Sequence, residues 1–93
     1  MRESQIEQKL VQAVKARGGI ALKFTSPSFD GMPDRLLLFP KGRVAWVEVK
    51  ATGKKLRPLQ VKRKRQLEQL GFRCFVLDSV EQIGEILDEI LPP

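Results

Sequence analysis

The chain has 93 residues, 42% of them hydrophobic, and a formal net charge of +6, which suits one small folded domain with one core and excludes a disordered segment. With no histidine and one cysteine, it has no means for zinc-hydrolase sites, histidine acid–base catalysis or an internal disulfide. No apolar run approaches the ~20 residues of a membrane span, and the polar, charged N-terminus gives no sign of a signal peptide.

The first element is a helix over residues 4 to 17, with Ile6, Leu10, Ala13 and Val14 on one stripe and Gly18-Gly19 as its stop. Residues 20 to 24 read as a strand, and the Ser, Pro, Gly and Asp of residues 25 to 33 read as a loop. Arg35 to Phe39 and Arg43 to Lys50 are two strands around Pro40-Lys41-Gly42. A second loop, residues 51 to 57, leads to Pro58, which suits the first position of a helix reaching Leu70, and Gly71 closes that helix. Phe72 to Leu77 is a fourth strand, carrying Cys74 as a core thiol. Ser79 and Gln82 form a capping-box pattern before a last helix with Ile83, Ile86, Leu87, Ile90 and Leu91 as its stripe. The order α-β-β-β-α-β-α predicts an α/β fold: a small mixed sheet flanked by helices, with residues 1–93 as one domain.

Charge is unevenly spread. From Lys50 to Arg65 there are eight basic residues and no acid, whereas every charged residue from Asp78 onward is acidic. A solvated basic helix would account for the run by itself. Its place directly after a carboxylate motif favours a polyanionic partner.

That motif is Gly31-Met32-Pro33-Asp34 followed, fourteen residues after the Asp, by Glu48-Val49-Lys50. If Pro40-Lys41-Gly42 is a three-residue hairpin loop with Gly42 left-handed, Phe39 pairs with Arg43, Leu38 with Val44, and Asp34 falls opposite Glu48. Opposed residues have Cβ atoms ~4.5–5.5 Å apart, and Lys50 shares the face of Glu48. A four-residue loop would instead put Asp34 on the other face. Opposed carboxylates repel unless a cation lies between them. With no histidine, oxygen ligands favour magnesium or manganese. Such an ion can acidify a bound water and stabilise charge on a phosphate, and Lys50 can orient the attacking water and stabilise the anionic transition state.

Four further residues have two readings each. Glu7 borders the first helix's stripe and can reach the same site, or it completes a Ser4-x-x-Glu7 capping box. Gln60 shares a helix face with Leu67 and points inward to support the site, or stays exposed in the first turn. Lys23 approaches a phosphate or faces water. Trp46 shares a strand face with Glu48 and packs in the core in preference to stacking on a base. Lys54, Lys55, Arg57, Lys62 and Lys64 are candidate nucleic-acid contacts, although they cannot all face one duplex.

At Pro33-Asp34 and Glu48-Val49-Lys50 the chain resembles the PD-(D/E)XK nuclease superfamily. With Glu7, Gly18-Gly19, Lys23, Gly31, Gln60 and Gly71 it resembles that superfamily's VRR-NUC (virus-type replication-repair nuclease) branch over roughly residues 3 to 80. The resemblance implies a restriction-endonuclease-like core and phosphodiester hydrolysis dependent on Mg2+ or Mn2+. It implies Asp34, Glu48 and the Val49 carbonyl as metal ligands, Glu7 as a further acidic ligand, Lys50 as catalytic and Gln60 as support. A core without appended modules looks like the phage and bacterial forms, which resemble Holliday-junction resolvases and act as homodimers. The expected partners are therefore branched DNA and a second copy, in the cytoplasm of a bacterium or phage-infected cell. Two alternatives remain at this point: a monomeric nuclease acting on flaps or single strands, and a basic DNA-binding module without chemistry.

Overall fold

The computed structural model describes residues 1–92. Helix α1 (Glu3–Ala16) forms because Ile6, Leu10 and Val14 recur one turn apart, and all three are fully buried. Strands β1 (Ile20–Lys23), β2 (Arg35–Phe39) and β3 (Arg43–Val49) follow. After them come α2 (Pro58–Gln69), β4 (Arg73–Leu77) and α3 (Ile83–Ile90). This is the expected α-β-β-β-α-β-α order.

The four strands form one sheet in the order β1-β2-β3-β4. The first three are antiparallel, and β4 runs parallel to β3 after the crossover through α2. Helices α1 and α3 cover one face, closing a core of Ile6, Leu10, Leu37, Val47, Val49, Leu77 and Leu87. Each such side chain, fully buried, contributes roughly 1.5–3 kcal/mol. Helix α2 covers the other face over a smaller cluster of Trp46, Leu67 and Cys74. Trp46 meets Phe24 edge to face, with centroids 4.8 Å apart, so it is a core residue, as expected. Burial pushes the Cys74 thiol up to about 11, leaving it inert at neutral pH.

Both capping boxes differ from expectation. Helix α1 starts two residues earlier than a Ser4–Glu7 capping box would place it, with Arg2 as its N-cap. The Arg2 amide donates to Gln5 Oε1 at 2.9 Å, so Glu7 takes no part in the cap. Ahead of α3, a 3-10 turn over Val80–Gln82 intervenes. Ser79 accepts from the Glu81 amide at 3.3 Å, and Gln82 accepts from the Asp78 amide at 3.0 Å.

Candidate active site

The β2–β3 hairpin has the register expected of a three-residue connection: Phe39 pairs with Arg43, Leu38 with Val44 and Arg35 with Val47. Lys41 as well as Gly42 is left-handed, with φ of 67° and 70°. Asp34 is the next residue beyond the last pair. Its carbonyl accepts from the Phe24 amide at 2.8 Å, while its Oδ1 accepts from the Val49 amide at 3.1 Å. The Asp34 carboxylate thus takes the place of a ladder acceptor where β3 ends.

Glu48 lies on the α2 face of β3 and is only 8% exposed. Its Oε2 accepts from Gln60 Nε2 at 3.0 Å and lies 3.5 Å from Lys50 Nζ. Gln60, 7% exposed, also accepts from the Arg57 amide through Oε1 at 2.9 Å. One side chain therefore caps α2 and positions Glu48. Gln60 points inward, not into solvent.

Burial is the main cause that raises the pKa of Asp34, and the nearby charges of Glu7 and Glu3 add to it. The Val49 amide works the other way. Burial also raises Glu48, followed by the charge of Asp34, with Lys50 opposing. These are two carboxylates held together against both desolvation and mutual repulsion. Glu7 sits at the side of this pair, where its Oε2 meets Arg35 Nε at 3.1 Å. Arg35 Nη1 also donates to the Ala21 carbonyl at 3.1 Å, tying α1, β1 and β2 together. As placed, no three carboxylates among the described residues form a ready metal cluster. The Asp34–Glu48 donor set is all oxygen and electrostatically strained without a cation, and that fits a hard divalent ion.

The other expected contacts are more dispersed. Lys23 pairs with Arg35 in the register and is exposed. Lys54, Lys55, Arg57 and Lys62 are exposed, while Lys64 is partly covered and pairs with Glu68 at 2.8 Å. Two residues were missed by sequence reasoning. Arg35 directly follows Asp34, so strand alternation sends it to the opposite, α1-facing side, and that period-two rule was the available signal. Arg63 fixes the 25–33 loop from α2, donating through Nε to the Asp30 carbonyl at 2.7 Å and lying 3.7 Å from the centre of the Phe29 ring. Those long-range contacts left no local trace in the sequence.

The VRR-NUC domain pattern matches residues 1–81. A protein of Acyrthosiphon pisum secondary endosymbiont phage 1, provisionally named nuclease p44, is 45% identical over 92 residues, covering 99% of this chain and 94% of its own. A solved VRR-NUC domain structure superposes with a TM-score of 0.86 at 25% identity, over 92% of this chain and 94% of that one. A match running through both carboxylates, Lys50, Gln60 and the whole sheet places this chain in the VRR-NUC nuclease family.

Proposed function

We propose that this nuclease is a divalent-metal-dependent, structure-specific DNA endonuclease. Its residues 1–93 act as one domain that hydrolyses phosphodiester bonds in branched DNA such as Holliday junctions. It works as a homodimer in the cytoplasm of a bacterium or phage-infected cell. The observation that carries the chemistry is the pairing of half-buried Asp34 with buried Glu48, with Lys50 Nζ 3.5 Å from Glu48 Oε2.

Magnesium or manganese held by Asp34, Glu48 and the Val49 carbonyl, with Glu7 as a further ligand, would stabilise phosphate charge and make a water more acidic. The remaining work falls to the chain. The Val49 amide fixes the Asp34 carboxylate through its Oδ1. Gln60 holds Glu48 at a set angle, so neither carboxylate must reorganise during reaction. Hydrolysis joins a water oxygen to phosphorus and expels one ester oxygen. The Lys50 ammonium, paired with Glu48, orients that water or donates to the oxygen on which negative charge builds.

The dimer is supported by substrate symmetry. A four-way junction needs two symmetric cuts, which a two-fold dimer supplies. A panel of labelled four-way junction, linear duplex and flap, each with Mg2+ or Mn2+, tests the proposal. Preferential junction cleavage that Asp34→Ala abolishes is expected. Equal cleavage of all three substrates would remove the structural specificity. Failure to cut any of them would remove the proposal.

A further inference from the structure

Beyond the carboxylate site, helix α2 and the 25–33 loop enclose an apolar groove. Phe29, in the loop ahead of Asp34, is 46% exposed, and Leu70, just past the end of α2, is 74% exposed. With Met32 and Leu67 they wall a groove of about 370 Å3, bordered by Arg63 and Gln66. That is within the ~300–1,000 Å3 of small-ligand clefts. The Arg63 guanidinium lies 3.7 Å from the Phe29 ring centre. It is held in place by the Asp30 carbonyl at 2.7 Å and by Gln66 Oε1 at 3.0 Å.

We infer that this groove binds an unpaired nucleobase of the DNA substrate, stacked on Phe29 beside Arg63. The inference rests on the DNA-nuclease reading above and adds a specificity site to it. Three observations select a base as the occupant. An aromatic ring and a fixed guanidinium plane are the two surfaces on which bases stack. Gln66 contributes an amide suited to a base edge. Arg63 also belongs to the acid-free basic stretch that ends at Arg65, whose charge complements a phosphodiester chain.

Position agrees with this. Gln66 is six residues along α2 from Gln60, which touches Glu48, so the groove is offset from the carboxylate site by about 9 Å along the helix axis at ~1.5 Å per residue. That is roughly two to three steps of a stacked strand at ~3.4 Å each. A base beside the cut is available there only when it is unpaired, as at a junction or flap. The groove therefore distinguishes such DNA from continuous duplex.

The test measures affinity in EDTA, so that no DNA is cut, for a duplex with a short unpaired bulge and for the same duplex fully paired. The wild type is expected to favour the bulged DNA. Phe29→Ala is expected to lose about five- to tenfold on bulged DNA and less than twofold on paired DNA. Phe29→Trp is expected to restore the preference. Leu70→Ser, at a more exposed position, provides a second variant with a smaller loss of the same kind. Equal effects on both DNAs, or no effect, would overturn the inference while leaving the nuclease reading intact. A shift from dimer to monomer in Phe29→Ala on sedimentation would also overturn it, because the occupant would then be a second copy of the chain. A wild type that binds neither DNA would instead count against the nuclease reading itself.

Discussion

Asp34 and Glu48 hold their protons more tightly in the folded protein than in the unfolded chain, chiefly because they are buried. Their ionisation therefore opposes folding. The penalty is absent below the ordinary carboxylate range of ~3.9–4.3 and complete once the pH exceeds the raised folded values. Without metal, Asp34→Asn is thus expected to melt above the wild type at pH 7.5, with the gap closing as the pH approaches 4. Added Mg2+ should stabilise the wild type more than the variant, since only an ion that binds the folded state raises its stability. Thermal melts with and without Mg2+ at both pH values check this. Arg35 supplies the converse case. Arg35→Leu leaves Glu7 partly buried without its partner and is expected to destabilise the protein by about 1–3 kcal/mol, measurable by urea denaturation. At this scale the sequence disclosed the charged residues and even the inward turn of Gln60. It did not disclose that Glu7 is bound to Arg35, because its spacing from Ser4 offers a local capping partner, whereas Arg35 lies 28 residues away.

At the scale of elements, the hairpin and the 25–33 loop place the site. The hairpin was legible because a three-residue loop with Gly42 fixes the register, and period-two alternation then fixes every face. The loop was not. Its path depends on Gly31, whose φ is +87° and whose added Cβ would lie 2.8 Å from Leu59 Cγ and 2.9 Å from the Leu59 carbonyl oxygen. Gly31 is thus where the segment carrying Asp34 presses on α2. Gly31→Ala is expected to cost about 1–3 kcal/mol and to lower cleavage as well, because relief of the clash moves the loop that leads to Asp34. A control in the core, Leu37→Ala, is expected to cost ~2–5 kcal/mol and leave the metal-binding affinity of the remaining folded protein unchanged. Denaturation together with Mn2+ titration separates the two. The start of α3 was also misread, because a 3-10 turn is too short to alter hydrophobic periodicity.

Across the whole molecule, one sheet divides two tasks. Its α1–α3 face holds most of the core, and its α2 face carries Glu48, Gln60 and the basic helix. The order of elements and the asymmetry of charge were both readable from sequence, since each is a property of long segments. The occupant of the exposed apolar surface was not, because exposure is a property of the assembled fold. No helix among the described residues is long and apolar enough to cross a membrane. At micromolar concentration, analytical ultracentrifugation is expected to give a dimer, as symmetric junction cleavage requires; a monomer would favour flap or single-strand cleavage. The most direct test of the proposed metal-dependent carboxylate centre is the single-turnover cleavage rate of a labelled four-way junction across a Mg2+ titration, for wild type and Glu48→Gln. The account predicts no wild-type cleavage in EDTA, a rate that rises to saturation with Mg2+, and a loss of at least about 100-fold in the variant at every concentration. Cleavage in EDTA, or a variant as fast as the wild type, would contradict it.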